Sequence, residues 1–423
     1  MTITVVLGLA IFLTTYVLIA TERIHKTIVA MGGGVAMILL GIVTQEQAFE
    51  HIDFNVIFLL AGMMILAGII RKTGVFGWMA VRAARFARGD AYRILVVMSV
   101  ITAIASALLD NVTTVVLVGP ITLFLAARLG LNPTPFVIAE ILSSNIGGTA
   151  TLIGDPPNIL IASAAGIDFG TFLVNMTPLA VIVLVLFLIA ARWLFRDQLG
   201  IDPRMRDALL ALDERQMITD PPLLRRSLVV LGLTLLGFLL QGPLGYQPAT
   251  VALTGAVALM VVARENPQEV LREVEWPTLF FFIGLFMLIA GVIEIGMIAA
   301  IASALTDLTG GAFAAGSFVI LWLSAALSGV VDNIPYTATM IPVVHEMSAP
   351  HGGSQALWWA LAAGADLGGN ATLIGASANV ILASMAERDG HPIGFWTFMR
   401  YGVPVTLGSI VISTVYIWLR YLL

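Results

Sequence analysis

The chain has 423 residues, 59% of them hydrophobic and 11% charged, with a net charge of −5. A soluble domain carries about 25% charged residues, so soluble enzymes, nucleic-acid binders and disordered regulators are excluded, and a mean hydropathy of +0.98 agrees. Cysteine is absent, which removes disulfides, thiolate metal sites and cysteine nucleophiles.

About 20 apolar residues cross a bilayer. Apolar runs fall near 3–20, 28–43, 55–70, 93–127, 135–165, 171–195, 227–241, 248–263, 278–297, 313–347, 355–386 and 394–419. The pattern predicts an all-α polytopic membrane protein whose partner is the lipid bilayer. The start Met1-Thr2 lacks a basic region and a cleavage site, so the first run reads as a retained helix. Run 93–127 is interrupted by Asp110-Asn111 and run 313–347 by Asp332-Asn333. Each arm has about 15 residues, short for a ~30 Å hydrocarbon core. Both runs therefore read as re-entrant hairpins with polar tips; two full crossings each is the alternative. Runs 135–165 and 355–386 contain Gly pairs and polar residues and read as broken helices.

Ten full spans and two hairpins place every Lys and Arg except Arg420 on one side. The loops around 44–52, 242–247, 298–312 and 348–355 carry none. The positive-inside rule makes the basic side cytoplasmic, with both termini outside, in a plasma (inner) membrane. On this reading Arg23 and Lys26 mark a cytoplasmic loop. Residues 196–226, the one long polar stretch, read as a cytoplasmic linker between a first half, 1–195, and a second, 227–423.

The halves repeat. At an offset of 222, VAMGGGVAM (29–37) matches VALTGAVAL (251–259), Asp53 matches Glu275, and Gly62 and Gly74 match Gly284 and Gly296. Ser106, Asp110, Asn111 and Pro120 match Ser328, Asp332, Asn333 and Pro342. At an offset of 221, GGTATLIGDPPN (147–158) matches GGNATLIGASAN (368–379), with eight of twelve positions identical. Five spans per half turn the second copy upside down. Inverted repeats with broken helices are the mark of secondary transporters, whose sites lie where the copies meet.

Four polar clusters interrupt the apolar sequence. The tips offer Asp110, Asn111 and Thr113, and Asp332 and Asn333. The broken helices offer Asn145, Gly147, Gly148 and Thr149, and Asp366, Gly368, Gly369 and Asn370. Gly pairs permit unwound backbone whose amides and carbonyls can meet a ligand, and Asn and Thr both donate and accept. Pro156-Pro157 places Asp155 at a break. Acids inside a membrane are candidates for function, and Asp110, Asp155, Asp332 and Asp366 are the candidate proton carriers. They can instead bond to helix N-termini and hold the tips together. Glu140 and Glu294 read as solvated near span ends, and His345 and His351 as surface residues.

LLDNVTTVVLVGP (108–120) with SNIGGTATLIGDPPNILI (144–161) resembles the ion transporter superfamily in its ArsB/NhaD-type permease branch. That family includes arsenite and antimonite efflux permeases, sodium/proton antiporters and relatives of the melanosomal P protein, with di- and tricarboxylate carriers more distant. The resemblance covers essentially the whole chain. It implies a scaffold and a transport domain in each protomer, often in a homodimer, with tips and breaks forming the site. The carboxylate carriers show Ser-Asn-Thr motifs in both halves; here Ser144-Asn145-Ile146 stands against Ala365-Asp366-Leu367. Acids at the site repel an anion and favour a cation or a neutral hydroxylated solute. The expectation is export of arsenite or antimonite in exchange for protons, with sodium/proton exchange as the alternative and a dicarboxylate third. No cofactor is expected. Arsenite permeases can work with a separate ATPase subunit, but this chain has no G-x-x-x-x-G-K-[ST] motif of its own.

Overall fold

The structure, a computed structural model, describes residues 3–21, 23–88, 90–199, 217–351 and 354–423. Most of the expected linker, including Arg204, Arg206 and Arg215, lies outside the described residues, as does the side chain of His351. Every regular element among the described residues is helical.

The first half runs α1 (Ile3–Thr21), α2 (Lys26–Leu39), α3 (Gln45–Glu50), α4 (Phe54–Arg71), α5 (Val75–Phe86), α6 (Ala91–Leu108), α7 (Asn111–Leu129), α8 (Thr134–Gly148), α9 (Pro156–Ala165) and α10 (Phe169–Leu194). The second runs α11 (Pro221–Leu244), α12 (Pro248–Ala263), α13 (Pro267–Val270), α14 (Trp276–Glu294), α15 (Met297–Leu308), α16 (Phe313–Ser328), α17 (Asn333–Ser348), α18 (Ala356–Gly368), α19 (Ser377–Arg388) and α20 (Phe395–Ile417). The few acids of the connections start several of these helices. Asp53, Asp90, Asp168 and Asp220 accept bonds from the first-turn amides of α4, α6, α10 and α11. Such caps are each worth about 1 kcal/mol.

Eight helices among the described residues are long and apolar enough to cross a bilayer: α1, α4, α6, α7, α10, α11, α14 and α20. This corrects the arm lengths expected for the first hairpin. Its arms have 18 and 19 residues, about 27–29 Å of helix, because α6 begins before and α7 ends after the apolar run. The second hairpin's arms have 16 residues each. Helices α1 and α11 expose most of their apolar surface, whereas α8 and α18 are enclosed along their whole lengths.

The helices recur in the same order in both halves, and their packing is reciprocal. α2 packs on α14 while α4 packs on α12; α7 packs on α19 while α17 packs on α9. Glycines make the closest of these approaches. A Cβ on Gly284 would lie 2.6 Å from the Ala30 carbonyl carbon, and one on Gly62 would lie 2.8 Å from that of Ala252. Each contact is the other with the halves exchanged. Within each half the parallel pairs α6–α8 and α16–α18 are equally tight, with Gly147 against Ala103 and Gly368 against Ala325.

Gly147→Ala would press a methyl to 2.2 Å from the Ala103 carbonyl oxygen. Overpacking of this kind costs about 1–3 kcal/mol, so the melting temperature of the detergent-purified protein should fall. Gly232→Ala is the control: an added Cβ there meets nothing within 4 Å, and melting should hold or rise.

A candidate transport site between the two hairpin tips

The polar tips and the two helix breaks meet in the buried interior. At the first tip Asp110 caps α7, accepting from the Thr113 amide at 2.7 Å. This turns the next side chain, Asn111, inward. Asn111 Nδ2 donates to Asp155 Oδ2 at 2.6 Å and to Asn145 Oδ1 at 3.2 Å. At the second tip Asp332 caps α17 through the Ile334 amide at 3.1 Å. Asn333 Nδ2 then reaches both Asp155 oxygens at 3.3 Å. One carboxylate, fully buried, thus accepts from both tips.

Local sequence explains why Asp155 is free to do so. An N-cap side chain normally takes the amide of the second or third helical residue. Pro157 removes the second amide, the third, that of Asn158, donates to the Asp155 backbone carbonyl at 3.0 Å, and Asp155 makes no side-chain cap bond to α9. Its oxygens face the tips instead. The second half has Ala376, Ser377 and Ala378 at these positions, and no counterpart carboxylate.

Asn145 crosses between the halves, donating to Asn370 Oδ1 and Asn379 Oδ1 at 2.9 Å each. Its repeat mate Asp366 lies against Thr149 and Asn158, which are the mates of Asn370 and Asn379. Asp366 is fully buried, and neither of its oxygens makes a well-formed hydrogen bond among the described residues. Asn111 Oδ1 and Asn158 Oδ1 are likewise unpartnered acceptors. Asn158 and Asn379 were not expected as site residues. Their Nδ2 atoms clip the ends of the broken helices: Asn158 to the Gly148 and Thr151 carbonyls at 3.1 and 3.2 Å, Asn379 to those of Gly369 and Thr372 at 2.7 and 2.9 Å. They satisfy carbonyls that a helix end leaves free. The signal was present in the last identical letter of the repeated twelve.

The glycine pairs have a different role from the one expected. Gly147-Gly148 and Gly368 lie in the last helical turns, and the irregular segments start after them, at Thr149 and Gly369. The glycines supply room. Gly147 and Gly368 admit the neighbouring helix, while Gly148 and Gly369 let the returning chain pass at Gly154 and Gly375. Thr149 bonds within α8 to the Asn145 carbonyl at 2.8 Å. Thr113 is not brought to the centre; it lines a small crevice with Met64, Gly68, Arg71, Glu273 and Glu275.

In the sequence Lys26 marks only the side of a loop. It stands at the start of α2 and its Nζ bonds Asp332 Oδ2 at 2.9 Å and Ser377 Oγ at 2.5 Å. Ser377 also donates to Asp332 at 2.6 Å. Asp332 is therefore a cap held in an ion pair. Asp110, its mate, has no ion pair among the described residues, and Pro248 stands where Lys26 would recur. Glu140 is not solvated, as expected from sequence, but 1% exposed and bonded to Thr122. It sits in the enclosed α8, whose span end the apolar count could not locate. Glu294 and His345 are exposed, as expected.

The sequence matches the citrate transporter family, CitMHS, over residues 16–364. This chain belongs to that family. It is a membrane transporter rather than an enzyme. Among the family's relatives is an uncharacterized transporter of Mycobacterium tuberculosis, 48% identical over 423 residues and covering 98% of both chains. The human P protein is 32% identical over 502 residues, covering 98% of this chain and 59% of that longer protein. The fold resembles that of MtrF from Neisseria gonorrhoeae, described as one of a class of antimetabolite efflux pumps, with a TM-score of 0.61 and 12% identity over 99% of this chain and 95% of that one. The ion-transporter character expected from the motifs holds at the level of the family.

Lys26→Met should leave the partly buried Asp332 without its cation, at a cost of about 1–3 kcal/mol. Melting should fall in that variant and recover in part when Asp332→Asn is added. Equal melting of wild type and Lys26→Met would remove the ion pair from the account.

Proposed function

We propose that this chain is a proton-coupled exporter of a small, uncharged, hydroxylated solute, with arsenite and antimonite as the first substrates to test. One observation carries the reading: the centre holds two buried carboxylates and an excess of unpartnered acceptors. Lys26, the cation bonded at the tips, is engaged by Asp332. Such a site favours a ligand that brings hydrogen-bond donors. Arsenite near neutral pH is largely a trihydroxide, and its three O–H groups suit Asp155, Asp366, Asn111 and Asn158. A proton on either acid would compete for the same oxygens, so solute and proton would occupy the site in turn. Exchange of one for the other across the membrane is then the coupled cycle.

The architecture assigned to this cycle is a first repeat, 1–195, a cytoplasmic linker, 196–226, and a second, inverted repeat, 227–423. The reciprocal packing supports a two-fold relation between the halves. The tips at Asp110-Asn111 and Asp332-Asn333 meet breaks that lie inside helix pairs α8–α9 and α18–α19; the 16-residue arms of the second hairpin support a re-entrant reading there, while α6 and α7 are each long enough to cross. The basic loops support a cytoplasmic linker and outside termini in a plasma membrane.

Sodium/proton exchange is the second reading, favoured by bare carboxylate oxygens beside irregular backbone. The family's description suggests citrate. A citrate-like anion facing Asp155 and Asp366 would have to arrive with its charge neutralised by a cation.

Everted vesicles separate the three. An inward-acid gradient should drive arsenite accumulation with no response to sodium. Asp155→Asn and Asp366→Asn should each cut that accumulation about ten- to a hundredfold, the worth of one charge-assisted hydrogen bond. Sodium-evoked proton movement or citrate uptake, without arsenite uptake, would overturn the exporter.

A further inference from the structure

Glu140 is a buried acid that the central site does not use. It lies on α8, 1% exposed. Thr122 on α7 donates to its Oε1, and its Oε2 has no partner among the described residues. It stands five residues before Asn145, about 7.5 Å of helix rise, between the Arg128 end of the helix pair and the central amides.

The second half shows what this location needs for packing. The mates of Glu140 and Thr122 are Leu361 and Val344, both fully buried. Both side chains are hydrocarbon. One turn nearer the centre the contrast repeats. Ser99 on α6 and Ser143 on α8 are buried, and their hydroxyls have no partner among the described residues. They lie one turn back along both helices from the Ala103–Gly147 contact, so they share a level. Their mates are Leu321 and Gly364. A polar seam thus runs through α6, α7 and α8 toward the site, whereas the matching positions in α16, α17 and α18 are Leu321, Val344, Leu361 and Gly364, and the buried hydroxyl beside Gly364, that of Ser324, is already bonded to the Tyr336 hydroxyl at 2.9 Å. Burying an acid is costly, and the second half shows that the architecture does not require it.

The titratable groups on helices packed against α8 are Tyr92 and Arg93 on α6, Arg128 on α7, Arg192 on α10, Asp366 on α18, Glu387 and Arg388 on α19, and Arg400, Tyr401 and Tyr416 on α20. None bonds or pairs with Glu140 among the described residues. Glu140 is therefore not the partner of a structural cation.

We propose that Glu140 is a proton-binding station on the path between one membrane face and the central acids, with Thr122, Ser143 and Ser99 as the hydroxyls along that path. This rests on the proton-coupled reading and names its route, which exists in one half only.

The test copies the second half into the first. The double variant Glu140→Leu, Thr122→Val should melt at or above the wild-type temperature. It should keep exchange of labelled for unlabelled arsenite at equal pH while losing about tenfold or more of proton-driven accumulation. Infrared difference spectra of the purified protein after a pH jump should show a protonated-carboxyl band that shifts in heavy water. That band should be absent in Glu140→Gln and present in Asp366→Asn. A destabilised double variant would make Glu140 structural. Undiminished proton-driven accumulation, or an unchanged band in Glu140→Gln, would overturn the proposal. If wild type carries no arsenite, the exporter reading fails by itself, and the infrared comparison still decides Glu140.

Discussion

Asp155 accepts hydrogen bonds from Asn111 and Asn333, one from each half of the chain. A carboxylate without water depends on such donors, because an unpaired charge inside protein is among the costliest features a fold can carry. The tips in turn depend on it, since each begins a helix at a point where the chain has just left another. Pro157 removes one of the amides that would otherwise take the carboxylate, and the other, that of Asn158, is held by the Asp155 backbone carbonyl. A helix start is thereby converted into a joint between halves, and the breaks, the crossing Asn145 and the clipped carbonyls are arranged around that joint.

Symmetry and asymmetry divide the labour. What recurs in both halves is structural: the glycine contacts Gly62–Ala252 and Gly284–Ala30, the clips Asn158 and Asn379, and the caps Asp110 and Asp332. What does not recur is polar. Asp155 faces Ala376 in the alignment, Asn145 faces Asp366, Lys26 faces Pro248, and Glu140 faces Leu361. Two related halves can exchange shapes, which gives a transporter its two openings. On the proposed reading, departures from the repeat would set its direction and its driving ion. The ion pair of Lys26 with Asp332 holds one tip to α2, while among the described residues the other tip is held by its own cap, by Asp155 and by Asn145, with no ion pair.

Much of this was legible in the letters. The helical class follows from the apolar runs, the pairing of Asn111 with Asn333 from polar residues kept in step across them, and Asn145, Asp155 and Asn370 from the polar clusters that interrupt them. The failures share a cause. Spacing reports which residues recur but not which surfaces touch. Gly147 and Gly368 looked like points of unwinding because glycine permits it; only packing shows a neighbouring helix at the missing side chain. Lys26 is 306 positions from its partner Asp332, so no local pattern could pair them. Glu140 resembled a span-end acid because a hydropathy window cannot tell an enclosed helix from a lipid-facing one.

The central claim is that solute and protons compete for Asp155 and Asp366. Proton release measures this directly. Arsenite is added to detergent-solubilised protein in weak buffer and the medium is followed with a pH indicator. The account predicts acidification that saturates with solute and is lost in the combined Asp155→Asn, Asp366→Asn variant. Arsenite binding with no proton released, or release that persists in that variant, would contradict it.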